Sequence, residues 1–412
     1  MLDIKLFREE PDKIIESEKK RFRDTVNVEK VIEYDNLWRD GLKRLNDLRS
    51  EKNKLSKSFK QAKKEGNIQE VISKSKQVAA DIKELEPKIE EYEKTRDEYR
   101  YKVGNIIDDK VPISDTEDDN EIIRKVGELP SFDFKPLNHV DLIEAIDGAD
   151  TKIAGEVSGS RFYYLKQDIL FLNLALIQFA LNELTNKGYT PLQTPFFIKS
   201  EVAEETSELG EFEETLYKVE NEDLYLIATA EQTLAALHRN EIIPSEDLPL
   251  KYCALSTCFR KEAGSHGKDT LGIFRVHQFE KVEQFIYSTP EESEKEHQKL
   301  LEVTEGIYQK LGLPYQIVAI VSSALNDNAA IKYDLEAWFP GSATYRELVS
   351  CTNCKDYQAR KINTRVGKAG AGDAQILHTL NSTAIATERT ICCILENYQQ
   401  EDGSIQIPEV LI

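Results

Sequence analysis

Residues Thr257 to Phe285 read TCFRKEAGSHGKDTLGIFRVHQFEKVEQF. β-prone residues at both ends flank a polar centre that contains Gly264, Gly267 and Gly272. This is the pattern of a strand, a loop and a returning strand. One face of the hairpin presents Arg260, Glu262, Phe279 and Glu283. An arginine fork matches a carboxylate or phosphate bidentately. An aromatic ring gives a purine something to stack on, and acids opposite can receive an ammonium group. Taken alone, an Arg-x-Glu pair on a strand is more often a surface ion pair, so the surroundings have to decide.

Around this hairpin, the runs LYLIAT, LPLKYCALSTCFR and GIFRVHQFEKVEQFIY alternate with helical stretches, without a regular strand–helix–strand beat. That favours an α+β body, an antiparallel sheet with helices packed on it. Gly267-Lys268 lacks the preceding glycine of a P-loop, and no GxGxxG follows a strand. If the protein uses ATP, arginine and metal must hold the phosphates.

Upstream the pattern changes. From Val31 to Val103 apolar residues recur at three- and four-residue intervals, as in a coiled-coil seam. Folding the stretch back on itself at Gly66-Asn67, in KKEGN, sets Val31 against Val103, Trp38 against Arg96, Leu45 against Ile89 and Phe59 against Ser75. The expectation is an antiparallel two-helix arm on the order of 50 Å long. Pro87 falls inside the second helix and should kink it or interrupt its hydrogen bonding. A coiled coil of this kind usually serves as a spacer or a dimerisation element. Residues 43–64, however, carry Lys43, Arg44, Arg49, Lys52, Lys54, Lys57, Lys60, Lys63 and Lys64 against only Asp47 and Glu51. One-signed charge suits a polyanion, and an exposed helical arm suits shape and backbone readout of structured RNA.

The net charge of −20 fits this division. Residues 1–108 hold 26 basic against 24 acidic residues, and the remainder holds 28 against 50. Any long basic surface must lie in the first quarter. We expect an N-terminal helical domain over 1–108 with its arm at about 28–105. An acidic, solvated linker over 109–121 and a body over 122–412 should follow. The chain opens with acids where a signal peptide would need a basic and then an apolar run. The apolar stretch Leu170 to Leu184 is interrupted by Asn173, Gln178 and Asn182 and is shorter than the ~20 residues of a bilayer span. It reads as a buried helix, and the protein as cytoplasmic. Six cysteines without secretory context imply reduced thiols. Cys351 and Cys354 form a CxxC without a second ligand pair, and Cys392 and Cys393 are adjacent as in a helix interior, so no zinc is expected.

The Thr257–Phe285 stretch resembles motif 2 of class II aminoacyl-tRNA synthetases, in the form seen in eukaryotic cytoplasmic-type seryl-tRNA synthetases. The likeness extends over nearly the whole chain. Pro195, in GYTPLQTPFF, sits where motif 1 has its dimer-interface proline, and NSTAIATERTICCILENYQ (381–399) looks like motif 3. Thr229-Ala230-Glu231 matches the family's TxE loop, with Ala230 at the variable position, and Glu347-Leu348-Val349-Ser350 its metal and ATP segment. Relatives usually continue for some tens of residues beyond PEVL, where this chain stops at Ile412.

The resemblance implies a serine–tRNA ligase, a homodimer that uses ATP and Mg²⁺. It would activate L-serine as the seryl-adenylate and load tRNA(Ser), and tRNA(Sec) where present. Arg260 and Arg389 would be the catalytic pair. Arg260 would clamp the serine carboxylate and the α-phosphate, while Arg389 would flank adenine and reach the γ-phosphate. Lys261, Glu262 and Val276 would join in ATP binding, with Phe279 under the adenine. Glu347, Leu348, Val349 and Ser350 would form the phosphate segment, and Glu347 and Ser350 would hold Mg²⁺. Thr229, Ala230, Glu231, Glu283, Asn381 and Thr383 would surround serine. Lys43, Arg44, Arg49, Lys52, Lys57, Lys60, Lys63 and Lys64 would meet the RNA. His266 and His277 are assigned structural or loop roles, because a serine carboxylate needs no base to attack phosphorus. Two other readings stay open: a different class II synthetase or carrier-charging ligase, and a non-catalytic RNA-binding scaffold.

Overall fold

The computed structural model describes residues 1–207, 215–262, 271–368 and 374–412. The chain divides into two compact units, Leu2–Lys19 with Arg23–Gly104, and Lys20–Phe22 with Asn105–Ile412.

The first unit is built on two long helices, α1 (Val26–Glu65) and α2 (Ile68–Tyr101). The turn between them falls where glycine permits it. Gly66 caps α1 in the left-handed conformation at φ 80°, a cheap backbone state for a residue without Cβ. The seam is apolar in its middle, with Leu45, Leu48, Val78, Ile82 and Ile89 buried together and Trp38, Leu42, Leu55 and Leu85 packed on them. The sequence pairing of Trp38 with Arg96 appears as a guanidinium 4.8 Å from the indole centroid. Tyr34 stacks on Tyr99 with centroids 6.0 Å apart. Gly41 admits the facing helix: a Cβ there would stand 2.8 Å from Ile89 Cγ1. Pro87 does not end α2, which runs through it. The proline is on the exposed face, where water can satisfy the carbonyl that loses its N–H partner. At 40 residues α1 is about 60 Å long, slightly more than the seam suggested.

The second unit is organised by eight strands: β1 (Glu121–Val126), β2 (Thr190–Gln193), β3 (Leu250–Phe259), β4 (Gln278–Ser288), β5 (Tyr315–Ala319), β6 (Ile331–Phe339), β7 (Thr344–Lys355) and β8 (His378–Ala386). Their order across the sheet is β1-β5-β6-β7-β8-β4-β3-β2. Pairing among the described residues is antiparallel throughout this sheet, except that the edge strand β2 runs parallel to β3. Three helices contribute to the core on one face: α3 (Gln167–Asn186), α4 (Ser293–Lys310) and α5 (Thr387–Tyr398). Leu172, Leu176 and Leu184 of α3, Leu300 and Tyr308 of α4, and Ile391 and Ile394 of α5 meet Val282, Ile286, Leu335 and Leu380 from the sheet.

Two sequence readings change here. Residues 109–121 are mostly exposed, as a solvated stretch should be, but are tethered at Val111 rather than free. Ile107 and Val111 are buried with Val318, Ile320 and Ile331, Ser322 donates its N–H to the Pro112 carbonyl, and β1 begins at Glu121. Charge in this stretch masked the apolar anchor Val111, which packs with Ile107 just before it. Helix α3 is buried along one face only, since Leu170, Phe171 and Leu174 are exposed on the other. By length and composition alone α3 could cross a membrane.

Candidate active site

Alternation along β4 builds the floor of a cleft of about 400 Å³ in the second unit. Phe279, Lys281 and Glu283 point into the cleft, while Val282 and Ile286 point into the helical core. Gln284, also facing away from the cleft, donates to Thr304 Oγ1 of α4 at 2.9 Å. The adjacent strands add Asn381 and Thr383 from β8 and Glu347, Leu348, Ser350 and Thr352 from β7.

Glu347 and Ser350 are three residues apart and would point to opposite sides of a regular strand. A β-bulge brings them to the same side. Leu335 pairs with Val349 and Glu336 with Glu347, leaving Leu348 as the extra residue. Below them Asp334 pairs in register with Ser350. Asp334 is buried, Lys332 Nζ stands 3.6 Å from its Oδ2, and its Oδ1 has no hydrogen-bond partner among the described residues. Burial pushes Asp334 up to about 7, against the pull of Lys332. Desolvation within the cleft raises Glu347, but Arg389, Lys332 and Arg260 outweigh it and hold that carboxylate below its usual range. A carboxylate and a hydroxyl are hard oxygen donors. They suit Mg²⁺, which takes one or two protein oxygens and completes its shell with water and substrate phosphate. Among the described residues no cluster of three or more His, Cys, Asp or Glu is placed to hold a metal unaided.

Arg260 follows the end of β3 and is fixed through its backbone and its side chain. Its N–H donates to the His277 carbonyl at 2.9 Å, and its own carbonyl lies 2.8 Å from His277 Nδ1. Arg260 Nε donates to the Ala228 carbonyl at 3.2 Å, while the Ala228 N–H donates to Gln232 Oε1 at 2.9 Å. The guanidinium lies 5.2 Å from the Phe279 centroid. Arg389, at the start of α5, donates Nη1 to the Glu347 carbonyl at 3.1 Å and lies 5.1 Å from the Phe274 centroid. Glu262 accepts from Arg275 Nε at 2.6 Å.

A second group of residues lining the cleft is acidic and centred on a buried carboxylate. Glu283 is 1% exposed. Its Oε2 lies 2.5 Å from Lys281 Nζ and accepts from Thr383 Oγ1 at 3.5 Å. Lys281 Nζ also donates to Thr229 Oγ1 at 2.7 Å. Glu231 Oε1 accepts from Gln358 Nε2 at 3.0 Å and from Asn328 Nδ2 at 3.3 Å. Burial, reinforced by Glu283, pushes Glu231 up to about 7. A polyanion between two arginines, beside an ammonium among carboxylates, is what such a cleft can hold.

Of the residues singled out in the sequence, Thr229, Glu231, Arg260, Glu262, Val276, Phe279, Glu283, Glu347, Leu348, Ser350, Asn381, Thr383 and Arg389 line the cleft. Ala230 and Val349 do not, being fully buried behind it. Lys261 does not line it either; its N–H donates to the Thr215 carbonyl. Gly264, His266 and Gly267 lie outside the described residues. Sequence reasoning missed Lys281, Phe274, Gln232 and Glu388, all of which also line the cleft. Lys281 could have been found by alternation, since it stands between Phe279 and Glu283. Phe274 lies in an irregular stretch ahead of β4 and gives no periodic signal. The eight basic residues Lys43 to Lys64 assigned to RNA are all exposed on α1, although Arg49 already pairs with Glu86 at 2.8 Å. Cys351 and Cys354 are buried within β7, and Asn381 Nδ2 donates to Cys354 Sγ at 3.7 Å.

Two family models match the chain: the seryl-tRNA synthetase N-terminal domain over residues 1–107 and the class II tRNA synthetase core domain (G, H, P, S and T) over residues 215–398. The serine–tRNA ligase of Methanosphaera stadtmanae is 89% identical over 412 residues, covering 100% of this chain and 97% of that protein. The chain belongs to the seryl-tRNA synthetase family. The crystal structure of seryl-tRNA synthetase from Pyrococcus horikoshii complexed with ATP superimposes with a TM-score of 0.95 at 46% identity, covering 100% of this chain and 97% of that one. The cytoplasmic serine–tRNA ligase of Arabidopsis thaliana is 49% identical, covering 100% of this chain and 94% of that protein. Within the seryl-tRNA synthetases, the narrower expectation of a eukaryotic cytoplasmic type is not supported, because the archaeal relative is far more similar than the plant one.

Proposed function

We propose that the cleft binds ATP and L-serine side by side, joins them as seryl-adenylate, and passes the seryl group to the 3′ end of tRNA(Ser). The activity is that of a serine–tRNA ligase, an aminoacyl-tRNA synthetase. One observation carries the residue-level reading. Arg260 and Arg389, from separate motifs, line one cleft together with Glu231 and Glu283.

The chemistry follows from charge and position. A serine carboxylate is already a nucleophile at neutral pH. Its attack on the α-phosphorus needs in-line placement and neutralisation of developing charge. Arg260, pinned through Ala228 and His277, would hold the carboxylate against the α-phosphate. Arg389 would hold the outer phosphates, and the Phe279 ring would carry adenine. Mg²⁺ bound at Glu347 and Ser350 would neutralise phosphate charge. Glu283 and Thr383 would read the serine hydroxyl, so alanine would leave buried polar groups unpaired and be rejected strongly. The exposed cations of α1 would meet the RNA backbone. An exposed apolar face of Leu170, Phe171 and Leu174, with Phe197 exposed nearby in sequence to Pro195, supports a homodimer. The family's role in translation supports a cytoplasmic location.

ATP–pyrophosphate exchange with a panel of amino acids tests this reading. Serine-dependent exchange is expected. Exchange with another amino acid alone would favour a sibling synthetase, and none at all would favour a scaffold.

A further inference from the structure

The acidic group lining the cleft contains a cation of its own that the proposed serine site does not explain. Lys281 reaches in from β4 and is almost fully buried. Its ammonium bridges Thr229 Oγ1 at 2.7 Å and Glu283 Oε2 at 2.5 Å. Both partners are among the groups that a substrate ammonium or hydroxyl would use. We propose that Lys281 is the charge-setting residue of this pocket: it neutralises Glu283, so that one carboxylate, Glu231, remains to receive one substrate ammonium. This rests on the reading of the cleft as a serine site.

The groups around the pair support the assignment. From β4 come Lys281 and Glu283, and beyond the end of β3 comes Arg260. Cys258 of β3 is a buried thiol pushed up by burial and uncharged near neutrality. Thr383 and Asn381 of β8, with Gln358 and Asn328, supply neutral partners. Two acids sharing one poorly solvated site cannot both stay ionised without a cation nearby. Burial and Glu283 raise Glu231 to about 7, while Lys281 and Arg260 oppose them. The sign follows. An ammonium binds the ionised form, so binding is weak below pH 7, where Glu231 must first lose its proton to solvent, and reaches a plateau above it. Removing the Lys281 charge would raise Glu231 further and move the plateau to higher pH.

The test is calorimetric titration of L-serine into the whole protein at pH 6 to 8.5, in buffers of different ionisation enthalpy, with the KM for serine followed over the same range. The wild type should release a fraction of a proton near pH 7, and its affinity should rise about tenfold between pH 6 and 8. Lys281→Met should bind at least about tenfold more weakly at pH 7, release more of a proton, and recover as pH rises. Lys281→Arg should keep the wild-type profile, and AMP affinity should be equal in all three. Wild-type binding that is independent of pH and releases no proton overturns the proposal, even if the Met variant fails to fold. So does a loss in Lys281→Met that is equal at every pH. Absence of serine binding at any pH would instead count against the serine site itself.

Discussion

The arm and the body handle charge in opposite ways. Along α1 the basic residues from Lys43 to Lys64 stand exposed to water, while the seam beside them is apolar. In the body the decisive cations are drawn into a cleft and held by contacts: Arg260 lies against Phe279, Lys281 is locked between Thr229 and Glu283, and Arg389 is held to the Glu347 carbonyl. Exposed charges act additively, at long range, and are screened by salt. Charges held this way act at contact and depend on geometry. The arm should therefore be sensitive to ionic strength and the cleft to single atoms.

The largest effect should come from separating the two regions. Deleting residues 32–102 should lower tRNA charging on the order of 1,000-fold, with serine-dependent pyrophosphate exchange within about twofold of wild type. Charging that survived would break the contrast. Next, Arg260→Ala should lower exchange about 100- to 1,000-fold, while tRNA affinity in a gel-shift assay stays unchanged. A smaller effect is expected from replacing Lys57, Lys60, Lys63 and Lys64 together with alanine. The slope of log Kd for tRNA against log salt should flatten by about three, with KM for serine and ATP unaltered. An unchanged slope would mean the RNA is held elsewhere. Smallest in its consequences for activity, Leu48→Ala should cost the arm about 2–4 kcal/mol in denaturant unfolding without altering exchange.

The two regions also differed in how much of them could be read beforehand. The arm was legible because its determinants repeat: the seam, the turn at Gly66 and the facing of Trp38 with Arg96 all follow from periodicity. The cleft was legible at its motif residues, which arrive from several strands and line one wall. What remained hidden was local geometry. The bulge at Leu348, which turns Glu347 and Ser350 to the same side, leaves no mark in composition. Phe274 owes its place to an irregular stretch, and Val111 was concealed by the acids around it. Lys281 was visible in principle, because every second residue of β4 shares its face.

Arg260 and Arg389 are held here to act on one triphosphate. A double-mutant cycle in pyrophosphate exchange tests this most directly, using Arg260→Ala, Arg389→Ala and the pair. If both stabilise the same transition state, the double variant should lose far less than the product of the single losses. Losses that simply multiply would mean that the two arginines act independently, contradicting the account.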